Sequence, residues 1–284
     1  MQHILIKNTV AARPDDWSVD GLTVLQGTLR AAGFSVSARD RGATPDPDLI
    51  HLHESGVNQL WLFALDKGDG LTVDEAAGIQ RFQQRGGALM ITRDHQDMGA
   101  CVLYLGAVGQ AHHFHSHNPE PDPDRRQRDD PFTTDIAWPN YHSGANGDPQ
   151  GVTCDPPVHP IMQRPDGTAL RFLPAHPHEG AVGVPSAFAR YAQVVGCGTS
   201  RITGRPFNLG VAIEAHEGNG SRVGRGYADA SFHHFADYNF DPAYGCPSFV
   251  SEPPAYGMTT NPEAIADAKR YAVNIARWLA GARY

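Results

Sequence analysis

The reading of residues 71–114, LTVDEAAGIQRFQQRGGALMITRDHQDMGACVLYLGAVGQAHHF, decides the fold. Thr72 stands where a helix N-cap belongs, and Glu75 three residues on completes a capping box, so two orphan backbone donors are satisfied reciprocally. Val73, Ala76, Ile79 and Phe82 then recur at helical spacing. Gly86 and Gly87 end the helix, because a left-handed C-cap costs glycine little. The run from Ala88 to Thr92 is continuously apolar up to its last residue, as in a parallel strand covered on both faces. Arg93-Asp94-His95-Gln96-Asp97 follows, and a second helix is expected from about Met98 to Val108. A strand directly after a helix implies a βαβ unit, whose carboxyl edge is the usual ligand crevice of an open sheet.

Toward the N-terminus the same alternation continues. His3 to Val10 reads as a strand ending at Asn8-Thr9, and Leu22, Leu25, Leu29 and Ala32 mark a helix stopped by Gly33. Phe34 to Ala38 and Asn58 to Leu65 give two more strands, the latter delivering Asp66-Lys67 to the same edge. Toward the C-terminus, Phe207 to Glu214 and Gly224 to Phe232 read as strands joined as a hairpin through Gly218-Asn219-Gly220. Asn261 caps a final helix with Pro262 at its first position and an apolar stripe through Ile265, Ala268, Ala272, Ile275 and Leu279. The expectation is one α/β domain over residues 1–284, with a flavodoxin-like, doubly wound, mainly parallel sheet and helices on both faces.

The segment 112–190 breaks this pattern. Between His112 and Pro185 lie eight of the fifteen histidines and thirteen of the twenty-two prolines. Proline removes backbone donors and fixes φ, so no regular layer is expected there. A loop this long in a compact protein is usually functional, and it reads as an irregular insertion or lid over the sheet's carboxyl edge.

Composition narrows the function classes. Of 284 residues, 40% are hydrophobic and 19% charged, as in an ordinary globular chain. A formal charge of −8, without a basic cluster beyond Arg125 to Arg128, argues against nucleic-acid or anionic-membrane partners. No apolar run approaches the roughly 20 residues a transmembrane helix needs. The scattered cysteines, Cys101, Cys154, Cys197 and Cys246, suit free thiols in a reducing cytoplasm better than a disulfide framework. P-loop, GxGxxG and GxSxG patterns are absent, so nucleotide binding and a serine elbow have no support.

The candidate chemistry lies in histidine and carboxylate clusters. Asp94 and His95 belong at the carboxyl end of a central strand, and an adjacent carboxylate can orient an imidazole for proton transfer. His176-Pro177-His178-Glu179-Gly180 pairs two imidazoles with a carboxylate, a grouping suited to general acid–base work or to metal ligation. Gly180 and Gly183 beside it could allow a close turn or hinge. One of His233 and His234, after a strand, should face the sheet edge. The catalytic candidates are therefore Asp94, His95, His178, Glu179 and His233. Asn8, Asp66, Thr92, Arg93 and His234 are the expected substrate-binding groups, with Glu214 and His216 as further polar candidates at a strand end. His113, His115 and His117 alternate, which on an extended segment would set three imidazoles on one face for zinc or another divalent transition metal.

Helix, Gly-Gly, apolar strand and a turn containing His95-Gln96 together resemble the class I glutamine amidotransferase-like superfamily, particularly its ThuA-like (trehalose utilisation) branch. In the amidotransferases a nucleophilic cysteine ends the strand a few residues before a His-Gln pair. Laying His95-Gln96 on that pair puts Thr92 in the cysteine's position, so cysteine-dependent glutamine hydrolysis is not expected. The resemblance implies a carbohydrate or polyol substrate. The expectation is a hydrolase or lyase using acid–base chemistry on a small polar molecule. The alternative is a non-catalytic ligand-binding or assembly protein that keeps the fold without the nucleophile.

Overall fold

The computed structural model describes residues 1–42, 44–126, 128–218 and 220–281. Seven strands form the main sheet: β1 His3–Ala11, β2 Ser35–Arg41, β3 Gln59–Ala64, β4 Ala88–Arg93, β5 Ala192–Thr199, β6 Pro206–Ile213 and β7 Gly226–Asp229. Their order is β2-β1-β3-β4-β7-β6-β5. The first five in that order are parallel, and β6 runs antiparallel to both β7 and β5. This is the doubly wound, mostly parallel α/β sheet expected from the alternation.

Alternate strand residues go to opposite faces, which gives two cores. On one face Ile4, Ile6, Trp61, Phe63, Met90 and Tyr227 pack with Leu25 and Leu29 of helix α1 (Thr23–Ala31) and Tyr271 and Ile275 of helix α3 (Pro262–Leu279). On the other, Leu5, Leu60, Leu62, Leu89 and Ile91 pack with Ile79 and Phe82 of helix α2 (Val73–Gln84). Every residue of β4 is buried, as its unbroken apolar run requires. The capping box is formed, and Glu75 also accepts from Asp46 N at 2.7 Å and from the Arg41 guanidinium at 2.7 Å. The helix start is thereby tied to the chain after β2. Val73 is 84% exposed and not on the apolar face. Each three-residue step falls about 60° short of a full turn, so over three steps it has rotated away from Phe82.

Other expectations need correction. The helix expected over Met98 to Val108 is a 3-10 turn at Ala100–Tyr104 followed by a short helix at Gly106–Gln110, because Gly106 sits at φ +59° and interrupts the path. β7 is shorter than the stretch 224–232, since the chain turns into a 3-10 segment at Phe232–His234. β6 and β7 are antiparallel neighbours, but the connection carries its own ribbon, His216–Gly218 with Ser221–Val223. Asn219 of the expected turn lies outside the described residues. Edge strand β5 had no clear sequence pattern, being rich in glycine and only partly buried.

Segment 112–190 is irregular, as its prolines dictate, yet much of it is packed into the body of the protein. Trp138, Tyr141, Ile161, Met162, Leu170 and Leu173 are buried in the same core as the sheet, and Tyr141 stacks on Phe207 of β6 at 5.0 Å. Short pairings, His112–His113 with Ala181–Val182 and Pro149–Gly151 with Phe172–Pro174, supply backbone partners. Gly180 fits against the ends of β4 and β7: its N–H donates to Ala230 O at 3.0 Å. A Cβ there would meet that oxygen at 2.5 Å and Asp94 O at 3.0 Å. It permits a close approach of backbones. Among the described residues, no helix is long and apolar enough to cross a membrane.

Candidate functional site

The loop after β4 is built around Arg93. Its fully buried guanidinium donates to the carbonyl oxygens of Met98 and His113, both at 3.0 Å, and to that of Gln96, and lies 4.3 Å over the Phe114 ring. Burial pulls its pKa down to about 9, against the pull of Asp94 and Asp97. Gln96 holds φ +52°, a left-handed conformation uncommon for a non-glycine residue, while its N–H donates to Pro139 O at 2.9 Å. Arg93 therefore shapes the loop from beneath and is not the substrate-binding group expected.

Above it, a cleft of about 150 Å³ is lined by Trp17, Asp94, His95, His176, His178 and His233, among others, with Phe249 and Glu252 on the rim. Asp94 Oδ1 accepts from His95 N at 2.8 Å and lies 2.9 Å from His95 Nδ1, which turns the far nitrogen of His95 away from the carboxylate. His176 and His233 stack with ring centroids 3.6 Å apart, and His178 lies edge-on to both His95 and His176 at 5.4 Å. His178 Nδ1 is 3.0 Å from Asn140 Oδ1 and 3.1 Å from Asp130 Oδ2. Three distant segments thus meet: the β4 loop, the insertion at 176–178, and the turn after β7.

The electrostatics follow from this crowding. Burial alone would raise the Asp94 carboxyl, but His95, His176 and His233 around it hold it well below the carboxylate range. Burial lowers His176 well below its ordinary value and His233 to about 4, and it lowers His178 too, reinforced by the neighbouring imidazole of His95. His234 behaves oppositely. Its burial is outweighed by Asp229 and Glu179, which raise it to about 10.

His234 and Glu179 lie behind the cleft, in a polar network. His234 Nδ1 is 2.7 Å from Asp229 Oδ1 and its Nε2 is 3.3 Å from Glu179 Oε2. Glu179 also accepts from Ser143 Oγ at 2.8 Å and Gln150 Nε2 at 2.7 Å, and Asp229 accepts from Tyr271 OH at 2.6 Å. All of these groups are buried. The network joins the insertion, β7 and α3, and of the pair His233 and His234 it is His233 that faces the cleft.

The other expected groups lie outside the cleft. Thr92 is fully buried and its hydroxyl finds no hydrogen-bond partner. Asp66 accepts from Thr9 Oγ1 at 2.6 Å and from Cys101 Sγ at 3.1 Å, and Asn8 donates to Asp40 at 2.7 Å, so both brace strand ends. His113, His115 and His117 do not share a face. The chain is a strand only at His112–His113 and then bends, leaving His113 buried and the other two exposed. Glu214 pairs with Arg225 at 2.8 Å. His216 lines a larger groove of about 440 Å³ by Gln80, Tyr191, Ile213 and Gly224, at the start of β7 and away from the carboxyl edge. That groove is wider, but it offers no convergence of titratable groups. All four cysteines are free.

His176, part of the His176 to Gly180 cluster but not among the catalytic candidates, also lines the cleft. Near-extended chain alternates its side chains, so His176 and His178 would share a side and Glu179 oppose them. Trp17, Asp130 and Glu252 come from remote segments with no local pattern pointing to the cleft.

No protein-family model matches the sequence, and no curated protein matches it significantly. Solved structures do. The "mmIFT52 N-terminal domain" superposes with a TM-score of 0.55 at 15% identity, over 97% of this chain and 96% of that one. A putative ThuA-like protein from Parabacteroides merdae ATCC 43184 superposes with a TM-score of 0.52 at 12% identity, over 99% of this chain and 91% of that one. At such identities the likeness shows that the chain has the fold of a ThuA-like protein.

Proposed function

We propose that this chain is a ThuA-like enzyme that hydrolyses, or eliminates from, a small polar, carbohydrate-related molecule in the cleft above β4. The observation that carries this reading is the convergence of Asp94, His95, His176, His178 and His233 from three segments on one recess. Proton transfer needs groups within hydrogen-bond reach of one substrate atom, and this recess gathers four imidazoles beside a carboxylate. In this reading His95 and His178, at the mouth, exchange protons with the substrate. Asp94 fixes the ring of His95, and Asn140 with Asp130 fixes that of His178. Trp17 and Phe249 offer an apolar wall to the C–H face of a sugar or polyol. A volume of about 150 Å³ lies below the roughly 300 Å³ lower bound for drug-sized sites, which favours a single small ring or chain over a polymer segment. No cysteine lines the cleft, and Thr92 is sealed beneath it, so ammonia release from glutamine is not expected.

The test is turnover of a panel of glycosides, sugar lactones, sugar acids and polyols, followed by NMR. One member should be consumed by the wild type. His95→Asn and His178→Asn should slow it by about 10²–10⁴-fold, the usual worth of general acid–base groups, with unchanged Tm. Full activity in both folded variants would overturn the reading.

A further inference from the structure

Asp94, His176 and His233 bring their ligand-capable atoms within 4.8 Å of one another, and all three are buried. His176 Nε2 and Asp94 Oδ1 stand 3.8 Å apart, too far for a hydrogen bond. Two metal bonds of about 2.0–2.1 Å at a tetrahedral angle would set ligand atoms about 3.4 Å apart, so a small contraction would bring both onto a common ion. The outer partners are in place as well. His233 Nδ1 lies 2.6 Å from Asn239 Oδ1, and the Asn239 amide is oriented because its Nδ2 donates to Asn146 Oδ1 at 2.9 Å and Ala175 O at 2.8 Å. The oxygen of Asn239 must then face His233, which puts the proton on Nδ1 and leaves the Nε2 lone pair free for coordination. His176 Nδ1 is similarly engaged, 3.0 Å from Ser231 Oγ. Metal-bound histidines characteristically tie up their second nitrogen this way. The two rings stack with centroids 3.6 Å apart, so coordination requires them to splay until both in-plane lone pairs meet at the ion.

We propose that Asp94, His176 and His233 bind a divalent transition metal, zinc by its donor set, with the remaining coordination position open to the cleft. Two imidazoles, a carboxylate and an open side are the donor pattern of a catalytic zinc site. The neighbouring group of Asp130, His178 and Glu252 is a weaker candidate. His178 and Glu252 are only half-buried, whereas Asp94, His176 and His233 are all buried.

The test reads binding, not turnover, so its failure leaves the hydrolase or lyase reading standing and the converse also holds. Chelator-treated full-length protein is titrated with Co²⁺ and Zn²⁺, followed by elemental analysis and visible absorption. The wild type should bind one ion per chain and give the absorption of low-coordinate cobalt. Asp94→Asn, His176→Gln and His233→Gln should lose that equivalent, while Glu252→Gln and the His115→Ala/His117→Ala pair keep it. Asn239→Ala should weaken binding by about 10–100-fold, with Asn239→Asp restoring it, as expected of an orienting partner. The wild-type cobalt spectrum keeps the test decisive if a variant fails to fold. No bound equivalent in the wild type, retention of it in the three ligand variants, or its loss with His115 and His117 would overturn the assignment.

Discussion

The sheet and the insertion over its carboxyl edge are stabilised by different kinds of interaction. In residues 3–93 the side chains alternate between two apolar cores, each large buried side chain contributing about 1.5–3 kcal/mol, and polar groups sit at strand and helix ends. In residues 112–190 backbone pairing is sparse, and buried polar groups join the segment to the sheet: Glu179, Ser143 and Gln150 to His234 and Asp229. A sheet of the first kind tolerates exchange of one apolar residue for another. A weld of the second kind fails sharply when one partner is removed, since the other is left buried and uncompensated.

The largest expected effect tests that contrast. Glu179→Ala, by leaving His234 short of a carboxylate in a fully buried setting, should cost about 3–5 kcal/mol in urea unfolding. An effect below about 1 kcal/mol would show that the apolar anchors Trp138, Tyr141 and Leu173, and not this polar network, hold the insertion to the sheet. Arg93→Met keeps the stem and deletes the guanidinium that serves three carbonyl oxygens. About 3 kcal/mol should be lost, with faster proteolysis of the 94–98 loop as an independent readout.

Glu75 sharpens the comparison from the sheet side, where a polar weld also exists. Burial would raise its carboxyl, but Thr72, Arg41 and Asp46 hold it below its ordinary 4.5. A depressed folded-state pKa means stability present in full above the unfolded value and lost as pH falls through the folded one. Glu75→Gln should therefore cost about 2 kcal/mol near neutral pH, and the gap to wild type should close below pH 4.5. A gap that widens on acidification would contradict the sign. The smallest effect is Thr92→Val: removing a buried hydroxyl without a partner should leave stability unchanged or raise it by up to about 1 kcal/mol. A loss above about 1 kcal/mol would mean that the hydroxyl makes an interaction the structure does not show.

Legibility in the sequence followed the same divide. Thr72, Glu75 and Gly86 marked α2, and the run to Thr92 marked β4, because caps and periodicity are local signals. Asp94, His95, His178 and His233 were legible as site candidates because they follow strand ends or cluster in a short polar run. Arg93, Asp66 and Asn8 carried the same polar signature, but their side chains turned inward to brace the loops that present the others. Whether a polar strand-end residue faces substrate or backbone depends on packing against remote segments, which spacing does not encode. Glu179 and His176 exchanged roles for a nearer reason, the alternation of side chains about Pro177.

The claim on which the composite cleft depends is that the insertion and the sheet end are one energetic unit. A double-mutant cycle on Glu179→Gln and His234→Gln, measured by equilibrium unfolding, tests it most directly. The two sites should couple by about 1–3 kcal/mol, as residues in one buried network do. Additivity within about 0.5 kcal/mol would contradict the account.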